Sequence, residues 1–173
     1  MSQDFDDTAP DTPAEPPAKP LSGNQKRKMR SAARLYAVQA LFQMEHSGQS
    51  VPSITHEFIE HRFGATYDGD EMNEGDVDMF RALVGDAVNN QARIDQMTDR
   101  ALVAKWPIAR IDPVLRGLFR AAGAELGAGE TPPRVVIKEF VDVAGAFFPE
   151  GREPQFVNAV LDHMAREARP EAF

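Results

Sequence analysis

Beyond Asn24 the apolar residues recur at three- and four-residue intervals, the spacing that lines side chains along one side of an α-helix. Leu35, Val38, Leu41 and Phe42 predict a helix over about residues 24–46, ended by Gly48. Ile54, Phe58, Ile59 and Phe63 predict a shorter amphipathic segment before a loop from Gly64 to Gly69. Asn73 then offers an N-cap, with Glu74 and Asp76 placed where the helix dipole favours negative charge. Val77, Phe80, Leu83, Val84, Ala87, Val88 and Ile94 continue that period for about six turns, which predicts the longest helix of the chain.

After Trp106 and Pro107, Asp112 followed by Pro113 is a start signal, because an aspartate can cap free amides and proline is tolerated in a first helical turn. The stripe Leu115, Leu118, Phe119, Ala122 and Leu126 runs to the stops Gly127 and Gly129. Thr131, Pro132 and Pro133 open a further helix that buries Val136, Phe140, Val143 and Phe147 and closes at Pro149 and Gly151. The last opens at Glu153 and Pro154 and buries Val157, Val160, Leu161 and Met164. No stretch alternates as a strand would; Val135 to Ile137 comes nearest and sits inside a helical period. The pattern predicts an all-α fold, a compact bundle of about six or seven helices over residues 24–169, without internal repeats.

Residues 1–23 break the pattern. They hold prolines at 10, 13, 16, 17 and 20 and too few large apolar groups to fold, which predicts a disordered acidic tail. Such a tail is either an extension without function or a competitor for the basic block beside it. Cysteine is absent, which removes disulfides, thiolate metal sites and cysteine nucleophiles and fits a reducing cytosol. The aspartates at 4, 6, 7 and 11 stand where a secretory leader would be positive, and no apolar run is long enough for a membrane span, so a cytoplasmic location is expected.

The usual catalytic constellations are missing. His46, His56, His61 and His163 show no metal-ligand spacing. Glycines 123, 127 and 129 lack phosphate-loop spacing and follow a helix rather than a strand. Asp76 and Asp78 lie two apart and so face different ways on a helix. No enzyme, metal or cofactor is expected.

Charge is what points to a partner. The net charge of −8 conceals an uneven distribution: Asp4, Asp6, Asp7, Asp11 and Glu15 precede Lys26, Arg27, Lys28, Arg30 and Arg34, which follow with no acid among them. Lys26, Arg30 and Arg34 are spaced four apart and Arg27 lies three before Arg30, so a helix presents them as a cationic stripe able to attract phosphates. Alone, such a stripe serves equally as a solvated face. Gln39 can read a base edge, and Phe42 either stacks on an unpaired base or belongs to the core.

Arg34 followed by Ala37, Val38, Gln39, Ala40, Leu41 and Phe42 resembles the opening pattern of the NusB family of transcription antitermination factors. Pro133, Val135, Val136, Ile137, Glu139 and Val141 are similar to that family's Pro-x-x-Val-Val-Ile-Asn-Glu-x-Val segment, and Phe156 to Asp162 to its Phe-Val-Asn-Gly-Val-Leu-Asp signature. The resemblance implies two small helical subdomains, binding of single-stranded boxA RNA from nascent ribosomal operons, and a joint site with the ribosomal protein NusE. It also implies loading, with other Nus factors, onto RNA polymerase. Carried over, the RNA contacts are the basic start of the first helix (Lys26, Arg27, Lys28, Arg30, Arg34), then Gln39, Phe42, Gln155, Phe156 and Asn158; Asp112, Arg116 and Glu125 fall to the partner protein. Four features depart from the family: Ser31, Ala32 and Ala33 interrupt its arginine run, Gln155 replaces a frequent lysine, Leu115 a frequent acid and Ala124 a tyrosine.

Two other readings compete. One is the NusB-like front domain of ribosomal RNA cytosine methyltransferases, which calls for a C-terminal cofactor-binding domain and catalytic cysteines that the sequence lacks. The other is a helical protein-interaction module for which the stripe only confers solubility.

Overall fold

The computed structural model describes residues 13, 14, 16, 17, 19–67, 70, 71, 73–103 and 107–173. Most of the acidic segment and Trp106 lie outside them, and with them the expectation of a disordered tail. Among the described residues the chain forms seven α-helices: α1 (Gly23–Ser47), α2 (Val51–Glu57), α3 (Val77–Asn89), α4 (Gln91–Ala101), α5 (Pro113–Ala128), α6 (Pro133–Phe147) and α7 (Glu153–Ala168). A single π-turn (Phe58–Arg62) extends α2, and 3-10 turns span Ile108–Arg110 and Pro170–Ala172.

The starts follow from local chemistry. Ser22 and Gln25 form a reciprocal capping box at α1, and Asp112 accepts from the Val114 amide at 2.7 Å to open α5. At the far end of α5, Gly129 takes the left-handed conformation at φ 77°, which a side chain would resist.

Three expectations are corrected. The loop after Phe63 contains a minimal antiparallel pair, β1 (Thr66–Tyr67) and β2 (Asp70–Glu71), with Thr66 opposite Glu71. It is too short for any alternation to register. Asp76, not Asn73, caps α3, accepting from the Met79 amide at 3.0 Å while its own amide donates to the Met29 carbonyl of α1 at 3.0 Å. The long helix expected from Val77 to Ile94 divides at Asn90 (φ −114°, ψ 17°), leaving α1 with its 25 residues as the longest. Asn89 and Asn90 explain the break: short amides compete for backbone groups, and the Asn90 side chain donates to the Asp86 carbonyl at 3.0 Å.

α5 is the central post, with ten of its sixteen residues buried, and it packs on α1, α3, α4, α6 and α7. Its large side chains Leu118, Phe119 and Leu126 are fully covered, each contributing about 1.5 to 3 kcal/mol by leaving water. Its small residues set the distances. A Cβ at Gly117 would lie 3.1 Å from the Val38 carbonyl of α1, and one at Gly123 would lie 2.5 Å from Ile94 Cγ2 of α4. Toward the other end of the bundle, Tyr36 stacks on Phe63 at 4.6 Å, Phe80 packs between Phe58 and Phe63, and the Tyr36 hydroxyl donates to the Asn73 carbonyl at 2.6 Å.

Gly123→Val is expected to separate α4 from α5 and lower stability by about 1 to 3 kcal/mol, because overpacking outweighs the helix propensity gained. Urea denaturation followed by circular dichroism measures the loss.

Candidate nucleic-acid interface

The cationic stripe is only partly on the surface. Lys26, Arg27, Lys28 and Arg30 are exposed on the first turns of α1, and none of them forms an ion pair with another described residue. They stand beside the positive end of the helix dipole, so the field of the backbone adds to theirs. Arg34 is different. At 3 % exposure it lies inside the bundle, donating from Nε to Glu125 of α5 at 2.7 Å and from Nη2 to the other Glu125 oxygen at 2.8 Å. Its Nη1 is 3.4 Å from Glu139 of α6, which also accepts from the Ser31 hydroxyl at 2.9 Å. Burial alone would lower the Arg34 pKa, but the hydrogen bond and charge of Glu125 and the charge of Glu139 hold it above its ordinary value.

The cationic stripe is corrected in one respect. Arg34 does not share the solvent-facing ridge, and Glu125, 4 % exposed, lies beside it inside the bundle. The physical reason is depth along the rod. Each step of four residues keeps a side chain on nearly the same side, but by Arg34 that side is covered by α5 and α6. Two carboxylates there take the place of water.

Gln39 and Phe42 lie together on the second half of α1. They line a groove of about 370 Å³ with Gln43, His46, Arg62, Val38, Phe58, Val114 and Phe147. Phe42 is half-buried, its ring 4.4 Å from the tilted His46 ring, and it lines the groove. Arg62 sits 4.9 Å above the Phe58 ring and donates to Gln43 at 3.0 Å. An aromatic ring among side-chain amides and a guanidinium is a fitting receptacle for a planar base. Arg62 and His46 carried no sequence signal, since neither belongs to a cationic run.

The two outer residues of α7 do not converge. Phe156 is half-buried, edge-on to Phe119 at 6.0 Å, and lines a groove of about 360 Å³ with Val103, Arg110, Ile111, Asp112 and Leu115. Asn158, two residues on and therefore turned about 200° around the helix, lies with Arg134, Lys138 and Arg166 in a different groove between α6 and α7. Gln155 is exposed. From Lys26 to Phe42 the rise is about 24 Å at about 1.5 Å per residue, so the proposed contacts form separate stations rather than one patch.

Asp112 is exposed and caps α5, but Arg116 is spent within the molecule. It pairs with Glu45 and donates to the carbonyls of Ile108 at 3.0 Å, Ala109 at 3.2 Å and Ile111 at 3.4 Å, clamping the turn that walls the Phe156 groove. The hydrogen bond from Arg116 holds Glu45 below the usual carboxylate range. Arg120 continues the network to Asp95 of α4 at 2.9 Å. Among the described residues no cluster of acids and histidines could hold a metal ion, and no helix is long and apolar enough to cross a membrane.

Comparison with known proteins adds a family. The NusB family pattern matches residues 31–166, which leaves Lys26 to Arg30 just outside it. A transcription antitermination protein NusB of Maricaulis maris is 45 % identical over 157 residues, covering 90 % of this chain and 98 % of that protein. The corresponding Caulobacter vibrioides protein is 44 % identical over 150 residues, covering 86 % and 99 %. Among solved structures, NusB of T. maritima aligns with a TM-score of 0.68 at 28 % identity, over 83 % of this chain and 96 % of that one. NusB in a crystal structure of the antitermination factors NusB and NusE with double-stranded RNA aligns at 0.65 and 24 % identity, over 79 % and 96 %, a likeness of fold.

Removing one partner of the buried cluster should be costly. Glu125→Ala is expected to destabilise the protein by about 3 to 5 kcal/mol, since it strips Arg34 of its main counter-charge. The joint replacement Arg34→Met with Glu125→Leu should restore most of that loss, as read by the denaturation midpoint.

Proposed function

The chain belongs to the NusB family of transcription antitermination proteins, and on that premise we propose that it binds boxA-type single-stranded RNA of nascent ribosomal-operon transcripts together with NusE. The family is one of antitermination factors and not of enzymes, which sets aside the methyltransferase reading. The protein acts as an adaptor in the cytoplasm: RNA and NusE assemble on it, and the assembly joins RNA polymerase with the other Nus factors to suppress premature termination.

One observation carries this reading: four exposed cations at the start of α1, uncompensated by any described acid, on a molecule that is otherwise acidic. Each phosphate they neutralise releases condensed counterions, which gives affinity without sequence preference. Preference comes from further along α1, where the groove around Gln39 and Phe42 takes an unpaired base. NusE meets the groove of Val103, Ile111 and Leu115 at its Asp112 rim, and Phe156, which lines the same groove, is kept as an RNA contact where the two ligands adjoin. Arg116 holds that groove's wall through the carbonyls of Ile108 and Ile111. A NusB of the same fold is crystallised with NusE and double-stranded RNA, which supports RNA and NusE as the classes of partner.

Titration of a labelled single-stranded boxA RNA by fluorescence anisotropy at several potassium chloride concentrations tests the ridge. Replacing Lys26, Arg27, Lys28 and Arg30 together by Ala should leave helix content intact, since Ala is a strong helix former. It should weaken binding and flatten the logarithmic salt slope by about 0.7 for each lost contact. An unchanged slope refutes the ridge. Phe42→Ala should cost about 1 to 3 kcal/mol of binding with the slope preserved, the signature of lost stacking rather than lost charge.

A further inference from the structure

A groove of about 520 Å³ runs between the first turns of α1 and the exposed side of α6, away from Phe42 and Phe156. Its floor is apolar, formed by Ala32, Leu35, Val143 and Ala146, and Arg27, Lys28 and Lys138 stand along its rim. The two acids on that rim are already engaged: Glu139 accepts from Ser31 at 2.9 Å and lies 3.4 Å from Arg34, and Asp142 holds Lys138 at 3.0 Å. Arg27 and Lys28 have no acid partner among the described residues. An apolar trough edged by cations suits a peptide that carries an aromatic ring between carboxylates.

The chain holds such a peptide on the same helix. Asp4, Phe5, Asp6 and Asp7, followed by Asp11, precede α1 with only Lys19 to offset them before Ser22. We propose that this segment, residues 4–11, is the occupant of the α1/α6 groove, with the Phe5 ring on the Leu35 and Val143 floor and its aspartates facing Arg27 and Lys28.

Charge complementarity, reach and tethering support the assignment. At about 3.1 Å per residue for a proline-rich chain, the stretch from Phe5 to Ser22 spans about 50 Å. The groove needs far less, since Asn24 to Leu35 covers about 16 Å of helix. Tethering also supplies an effective concentration on the order of millimolar, so that even a weak contact is substantially filled. The occupant neutralises cations of the ridge, and this consequence rests on the RNA-binding reading: the segment competes with RNA, disfavouring ligands that offer phosphate alone.

The sequence contains no cysteine, so Thr8→Cys in the full chain provides a unique site for a nitroxide label. At low salt the label is expected to broaden the methyl resonances of Leu35, Val143 and Ala146 and to spare those of Val103 and Leu115. Arg27→Glu with Lys28→Glu, or 1 M potassium chloride, should abolish the effect. Sharp Leu35 and Val143 signals at low salt overturn the docking, whatever the protein does with RNA. In a second measurement, the full chain with Asp4, Asp6 and Asp7 changed to Asn should bind single-stranded RNA about threefold or more tightly than the parent, as apparent affinity scales with the open fraction. Equal affinity of the two chains overturns the competition. Failure of both to bind RNA at low salt overturns the RNA-binding reading alone and leaves the label result as the judge of docking.

Discussion

One guanidinium organises this bundle. Arg34 reaches from α1 into a space that water has left, and there meets Glu125 from α5 and Glu139 from α6. Three helices distant in sequence are thus held by a group whose geometry is planar and directional. Hydrophobic contacts between helices tolerate sliding, whereas a two-pronged hydrogen bond to one carboxylate does not. Taking three charges out of water is expensive, and an apolar substitute could be equally stable. The cluster contributes register: it fixes how far α1 is inserted along α5.

That insertion depth decides which cations are surface and which are interior. The cations of α1 before Ser31 project where neighbouring helices leave them exposed, whereas Ala33, Arg34, Ala37 and Val38 beyond it are buried in the packing of α1. Gly117 allows the backbones to approach closely at this crossing, and Arg116 ties the far end of α1 to α5 through Glu45. The proposed phosphate ridge and the proposed base groove therefore sit on one rod anchored at two points between them and beyond.

Much of this was legible in the residues. The helical stripes placed α1, α5, α6 and the start of α7 to within a residue or two, because their bounds coincide with chemical signals such as Gly48, Asp112-Pro113 and Glu153-Pro154. α3 and α4 were fused because the apolar period runs on through Asn90, and the break depends on an amide competing for one carbonyl, which no periodicity records. Arg34 was misplaced for a related reason. Four-residue spacing gives the direction of a side chain but not whether another helix lies in that direction. Its acid partners stand 91 and 105 positions later in the chain, beyond any local pattern. Phe156 and Asn158 were grouped because they share a motif, although two residues of helix turn them to opposite sides. Arg62 and His46 needed the fold itself to reach Phe42.

The Asp76 amide that donates to Met29 of α1 has a further consequence. The carbonyl it occupies lies in the same stretch as the exposed cations, so the connection leading into α3 is stitched to the segment that meets phosphate. Insertion or loss of one residue between Met29 and Arg34 would rotate the ridge by about 100° while both anchors stayed fixed. Lengthening and shortening are consequently open to evolution before Ser22, and closed along this one stretch of helix.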